Sequence, residues 1–394
     1  MPTPADPDRT IAPEHPHPKV SFGRICLTFL RIGTVGFGGG VGMLALIREI
    51  LVRRKRWIDD GQLGVAVAMG QMLPGPFVSN YAEYIGYELR GVRGMALAVF
   101  FLLLPSFLLM CGLSFLYGRY GSVPVAERIF AGVQPVVAGI LAWATVNIGR
   151  AQLKSWRAAL VAVIGFVALL FKVDVVLVIF GCGMLGILLS GAWRAFIPKT
   201  AAVFAPWLAM VAAVGRSDAP LWERLLELGG VFLKIGTLIW GGGFAAIPFI
   251  QHEVVEVRHW LTAKEFIDGV ALGQMTPGPV AITATFIGFR VGGILGALVA
   301  TVAVFVPSFL LLLGLIHVYR RVRDHPLVKG FLSGVMPAVV GMLLSATVFI
   351  ARNAVTGPAT ALIGLLSLAV LLRFKTDPIW LVLGGGALGL ALAL

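Results

Sequence analysis

Gly70-Gln-Met-Leu-Pro-Gly-Pro76 and Gly273-Gln-Met-Thr-Pro-Gly-Pro279 are nearly the same string, met twice in one chain at a spacing of 203 residues. Each lies inside a strongly apolar stretch. A Pro-Gly-Pro core cannot continue a helix, because proline lacks the N–H and its ring clashes with the preceding turn. Within a bilayer such broken backbone survives only where protein or a water-filled cavity satisfies it. Broken segments at corresponding places in two halves of a membrane chain point to a transport site.

Composition places the string in a membrane. Of 394 residues, 58% are hydrophobic and 13% are charged, and the mean hydropathy is +0.92. Soluble domains carry about 25% charged residues. Apolar runs of roughly 20 residues, the length that crosses hydrocarbon, recur along the chain, so a polytopic membrane protein is expected. The net charge of +13 sits in short loops between apolar runs, where it orients a membrane protein. No soluble basic domain with interleaved aromatics accompanies it, so nucleic acid is not an expected partner. Cys26, Cys111 and Cys182 stand far apart in apolar stretches, and His15 and His17 lie in a Pro-rich polar tail. Neither set has metal-ligand spacing, and no metal or other cofactor is expected. Residues 1–21 read as a disordered tail on the cytoplasmic side, with no cleavable signal peptide.

The duplication runs end to end. Phe29-Leu-Arg-Ile-Gly-Thr34 answers Phe232-Leu-Lys-Ile-Gly-Thr237, Gly38–Gly40 answers Gly241–Gly243, and Trp57 answers Trp260. After the Pro-Gly-Pro strings the offset drops to 202, as Pro105-Ser-Phe107 against Pro307-Ser-Phe309 shows, so the second copy has lost one residue there. The repeats are assigned to 22–199 and 220–394, with 200–219 as a connecting transmembrane segment. Each repeat opens with a glycine-broken segment (22–51; 225–255), then a Pro-Gly-Pro-broken one (62–87; 265–289). Four spans follow near 92–117, 129–149, 157–171 and 175–191, with counterparts near 292–316, 331–351, 358–372 and 378–394. Pro105 and Pro307 are expected to kink their helices.

Loop charges set the orientation. Arg53-Arg-Lys-Arg56 corresponds to Glu256-Val-Arg-His259, whereas Arg320-Arg-Val-Arg323 corresponds to a loop with a lone Arg119. Equivalent loops of opposite charge bias are what inverted repeats produce when positive loops stay inside. The assignment that keeps Arg53–Arg56 inside makes both broken segments re-entrant hairpins. The expected fold is an all-α polytopic membrane protein, a tandem inverted-topology repeat with re-entrant, broken helices. It belongs in the cell (inner) membrane, with the N-terminus cytoplasmic and the C-terminus outside; the oligomeric state stays open between monomer and homodimer.

The ordered set of motifs resembles the chromate transporter family in its long, two-domain form. The resemblance is carried by Phe37–Gly40, Arg53–Trp57 and Gln71–Pro76, and again by Trp240–Gly243, Arg258–Trp260 and Gln274–Pro279. It covers nearly the whole chain beyond the tail. It implies chromate efflux by halves of opposite orientation.

The local chemistry suits an oxyanion. Where a hairpin re-enters, the returning helix points free N–H groups and a positive dipole end into the membrane, which bind tetrahedral anions without a full cation. Gly39, Gly40, Gly75, Gly242, Gly243 and Gly278 allow close backbone approach, the alternative being plain helix packing. Ser79, Asn80 and Thr283 would add side-chain donors, and Gln71 and Gln274 would bond the anion or the broken backbone. Arg31 and Lys234 occupy equivalent places and would supply two positive charges to a dianion, or else snorkel to the interface. Glu83 has uncharged Thr285 opposite it; pairing with Arg90 is the favoured reading, a coupling proton the other. The expected activity is secondary active chromate efflux by alternating access. The alternatives are a sulfate or other oxyanion carrier, or an oxyanion channel. Without a catalytic cluster or a Walker-type loop, no enzyme is expected.

Overall fold

The computed structural model describes residues 20–36, 39–195, 220–323, 325–374 and 376–392. The tail and nearly all of the connecting segment expected at 200–219 lie outside the described residues. What is described is helical, with no strand. The first repeat comprises α1 (Phe22–Val35), α2 (Gly39–Ile47, prolonged by a π-helical stretch Arg48–Arg54), α3 (Asp60–Met72), α4 (Phe77–Tyr120), α5 (Pro124–Gln152), α6 (Trp156–Leu170) and α7 (Val175–Ser190). The second repeats the order with α8 (Leu221–Leu238), α9 (Ala246–Gln251, prolonged by His252–Val257), α10 (Ala263–Met275), α11 (Thr283–Arg323), α12 (Pro326–Ala354), α13 (Pro358–Arg373) and α14 (Pro378–Ala391).

Local sequence explains the helix starts. Capping boxes open α3 and α10: Asp59 accepts from the Gln62 amide, and Thr262 from that of Glu265, with each N3 side chain reaching back. Proline at the first turn opens α5, α12, α13 and α14, where its missing N–H costs nothing. The sharp breaks in α4 and α11 fall at Arg90–Gly91 and Gly292–Gly293, where Gly91 and Gly293 adopt φ of 60° and 61°. Helical dihedrals continue through Pro105 and Pro307, so neither breaks its helix: proline's fixed φ is helical, while left-handed backbone falls to glycine.

At Gly91 the chain doubles back. A Cβ on Gly86 would stand 2.7 Å from the Ala98 Cβ, although twelve residues of straight helix span about 18 Å. The first limb of α4 (77–89) also lies against α3, with Asn80 Nδ2 donating to the Gly70 carbonyl. Thus α3 and this limb form one re-entrant hairpin with Pro-Gly-Pro at its tip, and the long limb of α4 (92–120) then crosses. α1 runs alongside that long limb. Arg90 Nε donates to Val20 O near the start of both (2.6 Å), and Gly33 packs on the Leu102 carbonyl farther in. The second repeat does the same with Gly288 on Gly296 and Gly236 on Val304.

The symmetry axis can be located from side chains. Thr145 Oγ1 and Thr347 Oγ1, equivalent residues 202 apart, stand 3.1 Å from each other. Gly149 faces Val340 beside them, so α5 and α12 run antiparallel there. A two-fold axis relating antiparallel helices is perpendicular to both. Since both are long and apolar enough to cross a membrane, the axis lies in the membrane plane and the repeats are inverted.

The halves are also intertwined. α5 packs on α13 and α14 of the other repeat, and α12 on α6 and α7. Backbone approaches mark these seams: Gly132 against Gly385 and Gly389, and Gly334 against Cys182 and Gly186. Two expected spans per half prove short. The helices α6, α7, α13 and α14, each of 14–16 residues, reach about 21–24 Å, less than the roughly 30 Å of hydrocarbon. They form short hairpins supported by the other half's α12 or α5.

Candidate functional site

Ser106 lies halfway along the crossing limb of α4, at the depth where the broken segments meet. Its hydroxyl donates to the Pro277 carbonyl of the second tip, and its counterpart Ser308, on α11, packs against Gly75 of the first tip. Gly75 and Gly278 have φ of 121° and 99°, a region open to glycine alone at little cost. A Cβ on either would come within 2.5 Å of the facing serine.

The backbone bonds cross over. The Gly75 amide donates to Ile239 O (2.7 Å), at the glycine break of the second repeat, and the Gly278 amide donates to Gly36 O (2.8 Å), at the break of the first. Each Pro-Gly-Pro tip is therefore sealed by a carbonyl from the opposite half. Gly242 packs on the Phe77 ring and Gly243 on Val280, so the second glycine break touches both returning helices. The backbone of Gly39 and Gly40 opens α2 beside the first break.

The hydroxyls expected as donors are turned inward. Ser79 Oγ donates to Pro76 O (2.7 Å) and Thr283 Oγ1 to Val280 O (2.8 Å), each bracing its own helix start. Asn80 Oδ1 sits beneath Gly75 and has no partner among the described residues. Thr283 holds the equivalent place beside Gly273. The shortened second copy absorbs its missing residue with a 3-10 turn, Val280–Ile282. Gln274 is buried, and its Nε2 has no partner among the described residues, which leaves a donor beside the second tip. Gln71 is exposed.

The cations do not converge on the tips. Lys234 Nζ is held by Glu253 (2.6 Å) and Asp174 (3.4 Å), and Glu253 also binds Arg258, which reaches Glu227. Arg31 is exposed and makes no ion pair among the described residues. The positions equivalent to Glu227, Lys234 and Arg258 in the first half are Arg24, Arg31 and Lys55. A neutralised network on one face thus faces a cationic surface on the other.

Glu83 is fully buried in the returning limb of α4, with no cation paired to it among the described residues and with the neutral Ser308 hydroxyl of α11 beside its carboxylate. The expected pairing with Arg90 does not form, because Arg90 bonds Val20 O and stacks over the Phe22 ring at 5.2 Å. The chain doubles back at Gly91 and carries Arg90 out to the surface, away from the buried face.

Sequence reading passed over Ser106, Ser308 and Asp268. The serines were visible as a repeated Pro-Ser-Phe, but their partners lie on tips about 170 and 230 residues away. Asp268 was legible only as an acid in an apolar helix.

Comparison with known proteins adds an independent line. The chromate transporter family model matches residues 23–187 and 226–390, one match per repeat. A chromate transport protein of Cupriavidus metallidurans is 34% identical over 98% of this chain and 97% of its own length. One from Pseudomonas aeruginosa is 30% identical over 94% and 92%. An uncharacterised transporter of Bacillus subtilis is 32% identical over 38% of this chain but 80% of its own length, so its match has the size of one repeat. No solved structure matches.

Proposed function

The chain belongs to the chromate transporter family, and on that premise we propose that it exports chromate from the cell as a secondary carrier. The anion binds at the crossed tips near mid-depth of the inner membrane, and the inverted halves expose it alternately to the two sides. One observation carries the reading: each tip's glycine amide is held by a carbonyl oxygen of the other half. A carbonyl oxygen on a turn amide occupies the place that an oxyanion oxygen takes. Chromate would displace Ile239 O and Gly36 O from these amides. Gly39, Gly40, Gly242 and Gly243 give it room, and Gln274 Nε2 supplies a donor. Ser79, Asn80 and Thr283 stiffen the tips. Arg31, on the cationic face, draws the dianion in, while Lys234 is engaged by carboxylates until the network opens. The N-terminus and the Arg53–Arg56 loop are cytoplasmic, following the positive-inside rule.

Glu83 carries the coupling proton. An ionised carboxylate in a buried site with no cation and only a neutral hydroxyl beside it is costly, and intramembrane acids of this kind serve proton transfer. The test is radiolabelled chromate uptake into inverted vesicles with and without a proton gradient, with sulfate as competitor. Gradient-stimulated chromate uptake is expected. Glu83→Gln should abolish the stimulation and leave chromate exchange intact. Absence of chromate flux under every gradient would sink the assignment, and preferential sulfate flux would replace its substrate.

A further inference from the structure

The second hairpin carries a buried acid of its own. Asp268 lies in α10, 1% exposed, where the first repeat has Val65 at the equivalent position. The fold accepts an apolar side chain there, so packing alone does not call for a carboxylate. Its oxygens are clasped from two helices of the other repeat. Gln134 Nε2 of α5 donates to Oδ1 and the Tyr117 hydroxyl of α4 to Oδ2, both at 2.8 Å. Methionine stands at 336 where the other repeat has Gln134, so the clasp is not a product of the duplication. At about 1.5 Å per residue it lies roughly 13 Å from the second tip, on the face opposite the one Glu83 approaches.

We propose that Asp268 is a proton-binding site that latches the second hairpin to α4 and α5. Ionised, it accepts from both donors and ties the re-entrant hairpin of one half to the crossing helices of the other. A proton from water on that face adds to one oxygen, and the two charge-assisted bonds give way to the weaker bonds of a neutral carboxyl. The hairpin then loosens. The charges around the clasp are few. Lys264 and Glu265 lie at the start of α10, with Lys264 near Glu127 of α5 (3.7 Å). Arg290 of α11 binds Glu265 at 2.6 Å and lies 5.9 Å from the Tyr117 ring centre. α14 contributes no ionisable residue; those of α12 that are described, Lys329 and Arg352, stand near its ends. The coupling meaning of this latch rests on the carrier reading above, but the proton site can be tested without chromate.

In a full-length variant lacking Cys26, Cys111 and Cys182, Ala271→Cys places a probe on buried α10, one turn from Asp268. Its rate of reaction with a membrane-impermeant maleimide is divided at each pH by that of an exposed reference cysteine, Arg54→Cys in the same background, so that the falling thiolate fraction cancels. This normalised rate should rise roughly tenfold as pH falls, as for loss of a charge-assisted hydrogen bond. Asp268→Asn, whose amide nitrogen cannot accept, should label at the fast rate at every pH. Tyr117→Phe should label faster while keeping its pH dependence, because the carboxylate remains. A normalised rate independent of pH in the Asp268 protein, or an Asp268→Asn profile like the parent's, would overturn the latch. A pH-dependent, Asp268-dependent profile in a protein that carries no chromate would refute the substrate and keep the proton site.

Discussion

At the residue scale the site rests on two glycines and two serines. Replacing Gly75 or Gly278 by alanine forces a left-handed conformation costing about 1–2 kcal/mol, before the added Cβ meets Ser308 or Ser106. Both variants should insert in the membrane yet lose most chromate transport in vesicles. Ser106→Ala leaves the Pro277 carbonyl without its donor, worth about 1–3 kcal/mol for a buried group. Ser308→Ala should cost less, because the Ser308 hydroxyl bonds Phe305 in its own helix. Equal losses from the two serine variants, in thermal unfolding of the detergent-solubilised protein, would contradict this asymmetry. The glycines were legible because Pro-Gly-Pro is intolerant of regular structure. That their amides are already bonded was not, since both acceptors come from the opposite half.

At the element scale, the helices hold together through small residues at the seams between repeats. A Cβ on Gly341 would sit 1.9 Å from the Ala162 carbonyl, whereas one on Gly181 meets nothing within 4 Å. Overpacking typically costs about 1–3 kcal/mol, and more is expected against rigid backbone. Gly341→Leu should therefore collapse yield and thermal stability while Gly181→Leu is tolerated; similar melting of the two would refute the seam. At the start of α10, burial pushes the Glu265 carboxyl up, but bonds from Thr262 and Arg290 outweigh it and hold the group below its ordinary value. A depressed acid stabilises the fold above its unfolded-state pKa, about 4.3, and that contribution fades as pH falls through the lower, folded value. Glu265→Gln should flatten this part of an acid-unfolding profile, modestly because the pair is partly exposed. Helix positions were legible to within a few residues, since apolar runs, capping boxes and first-turn prolines are local signals. The doubling-back between the re-entrant segments and the next spans was legible from the segment bounds and Arg90 and Arg93. That it takes only the dihedrals of Arg90–Gly91 and Gly292–Gly293, within otherwise continuous helix, was not.

At the scale of the molecule, inversion and intertwining make separate predictions. Cysteines at Arg54 and Val257 should react with an impermeant reagent from opposite sides of the membrane. The pair Thr145→Cys and Thr347→Cys should oxidise to one intrachain disulfide, since their side chains meet at the axis. Failure to cross-link would displace the axis. Residues 1–199 and 200–394 made as separate chains should assemble when co-expressed, and neither should be stable alone, because α5 and α12 each pack on the short helices of the other repeat.

The sequence by itself determined the membrane setting, the duplication and the places where helices must break. These follow from apolar length, self-similarity and the stereochemistry of proline and glycine. Loop charges were enough to suggest inversion, because they record which side each loop faces. Tertiary structure alone decided what the broken ends touch. It crossed the two Pro-Gly-Pro tips onto the opposite breaks, drew Lys234 into a carboxylate network, set Glu83 beside Ser308 rather than Arg90 and gave Asp268 two donors. Each of these joins residues from distant parts of the chain, where hydrogen-bond and ion-pair partners are set by packing across a pseudo-two-fold axis. No local pattern encodes such partners.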